Sequence, residues 1–109
     1  INIHPSLLPS SRGLDTHERA WATGVRFHGC TVHYVRPEMD EGPIVAQAAV
    51  PVLPGDDADS LAARVLKSEH ALYPHAVRLI AEGCVRVVGD VAWIDGPIPE
   101  LAAQINPPL

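Results

Sequence analysis

Ile1-Asn2-Ile3-His4-Pro5-Ser6-Leu7-Leu8-Pro9 opens the chain, and the fold is read outward from it. Asn2 and His4 stand two residues apart, so in an extended strand the amide and the imidazole leave the same face. Pro5 and Pro9 each lack an N–H and fix φ, which ends the hydrogen-bond ladder and turns the chain out of the sheet. That leaves Asn2 and His4 at a strand mouth, where α/β proteins hold their ligands. A strand end by itself has nothing to pair with. Its partner strands are therefore expected from residues outside this sequence, which starts at Ile1 without an initiator Met, and the chain reads as the C-terminal piece of a longer protein.

The 109 residues suffice for one small domain with a modest core. A formal net charge of -5 with no basic run argues against nucleic acid, whose binding rests on clustered Lys and Arg. No apolar stretch approaches the ~20 residues that span a bilayer, and no charged-then-apolar leader opens the chain, so a cytoplasmic protein is expected. Cys30 and Cys84, far apart and within apolar or strand-like runs, are expected to be buried free thiols.

After Pro9, Ser10-Ser11-Arg12-Gly13 is a loop by composition. A short helix follows, with Asp15 and Glu18 in the D-x-x-E form of a capping box, Leu14, Ala20 and Trp21 as its apolar side and Gly24 as its stop. The β-branched and aromatic density from Phe27 to Val35 predicts a strand. Arg36 to Pro43 must be a loop, and Ile44 to Val52, apolar almost throughout, resumes as a strand covered on both faces. Asp57 or Asp59 caps the longest helix, which runs to about Glu82 with Leu61, Val65, Leu72, Ala76, Leu79 and Ile80 at helical spacing. Pro74 predicts a kink or break near Tyr73, and Gly83 suits the C-terminal cap. Cys84 to Val88 and Val91 to Ile94 form a hairpin about Gly89-Asp90, and Pro97 to Leu109 is a tail with little to bury.

An amide at Asn2 can hold a developing oxyanion, and an imidazole at His4, near its unperturbed pKa of about 6.5, can move a proton at neutral pH. A carboxylate at Asp40 can orient and charge that imidazole. Together these are the parts of an acyl-transfer site that needs no covalent nucleophile. His17, His28, His33, His70 and His75 are rival candidates as metal ligands, but no HExxH pair and no Cys/His cluster of zinc-site spacing occurs, and His28 and His33 fall on opposite faces of one strand. Ser6 lacks the GxSxG elbow of a serine nucleophile, and no glycine-rich phosphate loop is present.

Asn2-Ile3-His4-Pro5-Ser6-Leu7-Leu8-Pro9, then Gly13-Leu14-Asp15-Thr16-His17, His28-Gly29-Cys30-Thr31-Val32-His33 and Met39-Asp40-Glu41-Gly42-Pro43, closely resemble the folate-dependent formyltransferases, and the likeness extends from Ile1 to about Gly83. The Gly-Leu-x-Thr-His element resembles the branch that formylates glycinamide ribonucleotide. The resemblance implies an α/β, formyltransferase-type Rossmann-like fold, of which the chain is the C-terminal half: mixed sheet strands, flanking helices and a terminal hairpin. It implies a catalytic and folate-binding part over residues 1–95 and a proline-rich tail over 96–109. By the same likeness Asn2, His4 and Asp40 are the catalytic trio, and Val35, Arg36, Glu38, Met39 and Asp40 wrap the pterin of 10-formyltetrahydrofolate, mainly with backbone groups. Glu69 would contact glycinamide ribonucleotide, and no metal is implied. The missing N-terminal half is the implied partner, in a monomer or homodimer without nucleic acid or membrane, and the fragment alone is expected to be inactive. Ser10-Ser11-Arg12 departs from relatives that often carry an aromatic or a proline there. The alternatives are formyltetrahydrofolate deformylase, which uses water as acceptor, and a non-catalytic folate-binding fragment; methionyl-tRNA formyltransferase would need a basic extension that this acidic chain lacks.

Overall fold

In a computed structural model, which describes residues 1–38 and 40–109, the opening stretch finds its partner within the chain. β1 (Asn2–His4) pairs antiparallel with β2 (Phe27–His33), and β2 with β3 (Ile44–Pro51), in the order β1-β2-β3. The expectation that β1 must pair with residues outside the sequence is corrected on its β2 side. Pro5 turns the chain away, α1 (Thr16–Thr23) intervenes, and β2 returns beside β1 with Asn2 opposite His33 and His4 opposite Thr31.

Ile3, Cys30, Val32, Ala46, Ala48 and Val50 present one sheet face to α2 (Ala58–Ala81), whose Leu61, Val65, Leu72 and Ala76 complete the core. Only that face is covered along most of β3. Gln47 and Ala49 are exposed, so the two-sided burial expected for this strand gives way to alternation, as befits an antiparallel sheet with one solvated side. A one-residue register shift between Val32 and His33 makes Val45 the extra residue of a bulge, beside the loop that carries Asp40.

Asp57 caps α2 in a box with Ser60, each side chain bonded to the other's backbone N–H. The helix passes through Pro74 as one element of 24 residues, without the expected break. Proline removes one ladder bond, and Leu72 and Ala76, buried on either side of it, hold the turn in the core. At the far end Gly83, at φ +72, donates to Ile80 while Cys84 donates to Leu79, the paired bonds of a Schellman stop. β4 (Val85–Val88) and β5 (Val91–Ile94) then form the expected hairpin about Gly89-Asp90.

Three further expectations are corrected. Asp15 sits at φ +58, outside the extended backbone of a capping residue, and makes no side-chain cap bond. Leu14 is 84% and Trp21 51% exposed, so Ala20 and Thr16 carry the buried side of α1. Cys30 is buried, but Cys84, at the helix-to-hairpin junction, is partly exposed; both are free. The tail buries little, as expected, and is tied at one point: the Asn106 side chain donates to the carbonyls of Arg26 at 2.7 Å and Val52 at 2.8 Å, where β2 begins and β3 ends.

Candidate active site

Thr31 organises the opening motif. Its side chain shares a sheet face with His4, and it is fully buried. Its hydroxyl donates to the Ser6 carbonyl at 2.7 Å and accepts from the Leu8 N–H at 3.1 Å and the Gln47 amide at 3.0 Å. The segment after His4 is thus folded across the sheet and held there. Thr16 adds a hydroxyl bond to the Pro5 carbonyl at 2.5 Å, fixing the start of α1 to the same turn.

His4 is 6% exposed, and both its ring nitrogens face oxygen. Nδ1 lies 3.4 Å from Asp40 Oδ1, and Nε2 lies 2.9 Å from the Ser11 carbonyl oxygen. A carbonyl only accepts, so the contact to Ser11 places a proton on Nε2. Asp40 is anchored in turn: its Oδ2 accepts from the Gly13 N–H at 2.8 Å. The loop that delivers it closes through Tyr34 N–H to the Pro43 carbonyl at 2.9 Å. Gly42 makes that closure possible, since a Cβ there would sit 1.4 Å from the Tyr34 carbonyl oxygen.

Asn2 is exposed beside this pair. Its amide nitrogen lies 3.4 Å from His33 Nε2, and His33 Nδ1 lies 2.8 Å from the Tyr34 carbonyl oxygen. His33 therefore carries its proton on Nδ1 and accepts through Nε2, which turns the Asn2 nitrogen toward it and leaves the second amide N–H for another acceptor. Of the expected trio, His4 and Asp40 are in contact, while Asn2 shares the strand face of His4 and contacts His33. His17 and His28 form a separate pair, Nδ1 to Nε2 3.1 Å, at the α1–sheet contact. Burial, with the nearby His17 and His4, brings His28 down to about 4, and burial lowers His17 too, so both are neutral at neutral pH.

The remaining candidates are spread around this centre. Val35 is 66% exposed and Glu38 is exposed. The Arg36 guanidinium reaches the Gly89 carbonyl at 2.6 Å and the Asp90 carboxylate, while Met39 lies outside the described residues. Glu69 is not brought to the His4–Asp40 pair: it lines a pocket of about 560 Å³ with Ile3, Leu66 and Tyr73, and Ile3 leaves the face of β1 opposite to Asn2 and His4. Its charge is felt at Cys30, whose thiol is pushed up to about 11, first by burial and then by Glu69. Ser6 is fully buried and donates to the Ser11 carbonyl, a supporting place and not a nucleophile's.

Thr31, His33 and the backbone of Ser11 and Gly13 are supporting groups that sequence reasoning missed. The signal was present only for His33: two residues beyond Thr31 on the strand, it had to share that residue's face.

A family profile described as formyl transferase matches residues 1–77. The chain is 47% identical over 96 residues to phosphoribosylglycinamide formyltransferase of Escherichia coli K12, a match covering 88% of this chain and 45% of that protein. The crystal structure of phosphoribosylglycinamide formyltransferase from Anaplasma phagocytophilum superposes with a TM-score of 0.85 at 49% identity, covering 90% of this chain and 48% of that one. A formyltetrahydrofolate deformylase from Pseudomonas syringae superposes at 0.82 with 32% identity, over 85% of this chain and 31% of that one. The chain spans about half the length of the first two relatives or less. With the profile covering 77 of its 109 residues, and with the α/β architecture in common, the chain belongs to the formyl transferase family.

Proposed function

We propose that the complete protein transfers the formyl group of 10-formyltetrahydrofolate to the amine of glycinamide ribonucleotide, a step of purine biosynthesis, and that this chain supplies Asn2, His4 and Asp40 for it. The observation that carries the reading is the buried His4 with Asp40 on Nδ1 and an acceptor oxygen on Nε2. The folate supplies the formyl group; the chain supplies the electrostatics. As the amine nitrogen bonds to the formyl carbon, negative charge gathers on the formyl oxygen. His4 donates its Nε2–H to that oxygen, which takes the role the Ser11 carbonyl holds here, and Asn2 donates its free amide N–H. Each such donor is worth roughly 10²- to 10³-fold in rate.

Asp40, facing Nδ1, holds the ring in place with its Nε2–H turned toward the oxyanion. When the bond from the formyl carbon to the folate nitrogen breaks, that nitrogen gains a proton and the new amide nitrogen loses one. The His4–Asp40 pair stands where it can relay that proton through water. Room for the pterin is supported by a pocket of about 310 Å³ that Asp40 lines, within the usual size range of small-molecule sites. Glu69, in its own pocket beyond Ile3, is assigned to the nucleotide side. The active protein is read as cytoplasmic, with the other half of the domain completing the site.

The test is consumption of 10-formyltetrahydrofolate by the complete protein with and without glycinamide ribonucleotide. Turnover only with the nucleotide is expected. Equal turnover without it would make water the acceptor and the protein a deformylase.

A further inference from the structure

We propose that the turn of the β4–β5 hairpin is the outer wall of the folate pocket, held against the Asp40 loop by the ion pair of Arg36 with Asp90, which makes both of them positioning residues for folate. The inference rests on the folate reading above and deepens it. The pocket beside Asp40 is lined by Leu8 and Pro9, by Asp40 itself and by Asp90, Val91 and Ala92, so the hairpin supplies a wall to the same space as the catalytic carboxylate.

The two limbs of the Asp40 loop are fastened differently. Beyond Asp40, Glu41 is held by Arg12 at 2.5 Å, and the base is closed between Tyr34 and Pro43. These ties join the loop to the His4 side of the site. Before Asp40, Arg36 reaches the other way, donating to the Gly89 carbonyl at 2.6 Å and to the Asp90 carboxylate. Among the described hydrogen bonds, those of Arg36 are the ones that join the loop to the hairpin turn. β4 and β5 form a two-stranded sheet with no ladder to β1-β2-β3; β5 packs on β3 and Val85 on the core, which leaves the Gly89-Asp90 turn as the end that the Asp40 loop must hold. A turn tied by a planar, two-pronged guanidinium keeps a set distance from the loop. The width of the pocket therefore depends on Arg36 and Asp90, while the His4–Asp40 geometry does not. Loss of the tie should weaken folate binding and spare the chemical step.

The experiment uses Asp90→Asn, Asp90→Ala and Asp90→Lys in the complete protein, alone and combined with Arg36→Ala. With saturating acceptor, the KM for 10-formyltetrahydrofolate is expected to rise in the order Asn, Ala, Lys, by about three- to tenfold at the far end, the size of an exposed charge-assisted contact. The kcat of the Asp90 variants should stay within about twofold, and the KM for the acceptor should not move. In the Arg36→Ala background, Asp90→Ala should add almost nothing. An unchanged folate KM in Asp90→Lys, a kcat that falls while KM holds, or an Asp90→Ala effect of equal size with and without Arg36 would overturn the proposal. If the wild-type protein transfers no formyl group, the functional reading fails first. The tie is then read from the Kd of tetrahydrofolate by titration calorimetry across the same variants, where graded weakening supports the wall and a constant Kd, or no binding by wild type, refutes it.

Discussion

Replacing Thr31 by valine removes one hydroxyl at nearly constant volume and tests how the opening motif is held. The hydroxyl serves two buried backbone groups, the Ser6 carbonyl at 2.7 Å and the Leu8 N–H at 3.1 Å. Ser6 is 0% and Leu8 4% exposed, so water cannot replace the lost partner without opening the segment. The Gln47 amide keeps its bond to the Leu8 carbonyl at 2.9 Å and is the lesser loss. Two stranded groups at roughly 1–3 kcal/mol each give an expected destabilisation of about 2–5 kcal/mol, allowing for partial relaxation. Thr31→Ser keeps the hydroxyl and removes one methyl, which should cost only about 1 kcal/mol. The assay is urea unfolding of the complete protein, with the midpoint falling and the slope unchanged. Because Ser6 to Leu8 directly follow His4, kcat should fall in Thr31→Val and hold in Thr31→Ser. A Thr31→Val protein within about 1 kcal/mol of wild type would refute the view that this hydroxyl anchors the motif.

Three other outcomes follow from the same geometry. Asp40→Asn keeps the shape but not the charge beside His4 Nδ1, so formyl transfer should drop by roughly 10²- to 10⁴-fold with little change in stability, measured by kcat and by unfolding midpoint. Gly42→Ala forces a Cβ to within 1.4 Å of the Tyr34 carbonyl, so the Asp40 loop must shift; kcat should fall about tenfold or more, and wild-type kcat would show that the loop base is slack. His28, brought down to about 4 in the fold against 6.5 when unfolded, binds its proton more tightly in the unfolded chain. Stability should therefore be complete above pH 6.5 and decline as pH falls toward 4, by roughly 1–3 kcal/mol from this group, and a His28→Gln protein should lose that part of the acid limb in pH-dependent unfolding.

Much of this was legible along the chain because the signals were local. The N-x-H spacing placed two side chains on one face, Gly24 and Gly83 stopped their helices, the cap of α2 was narrowed to Asp57 or Asp59, and Gly89-Asp90 turned the hairpin. What was not legible depends on backbone conformation or on pairs distant in sequence. Asp15 reads as a cap until its left-handed φ is known, and Trp21 reads as core until its ring is seen exposed, with its N–H on the Asp56 carbonyl. The roles of Thr31 and His33 require the β1–β2 register, in which a slip of one residue would have turned both away from the site. The family likeness marks Arg36 as a residue of the pterin loop but not as a tie to the hairpin, because nothing near it in sequence announces a partner 54 residues on. Asn106 is the same case across 80 residues, a tail residue whose two carbonyl partners exist only once β2 and β3 are paired.

The most direct measurement is steady-state formyl transfer by the complete protein carrying His4→Ala, with its urea midpoint determined alongside. His4 is buried between Asp40 and the Ser11 carbonyl and, in the function proposed above, donates its Nε2–H to the formyl oxygen. Its loss should lower kcat by at least about 10²-fold while the protein remains folded. Turnover near the wild-type rate in a folded His4→Ala protein would contradict the central assignment.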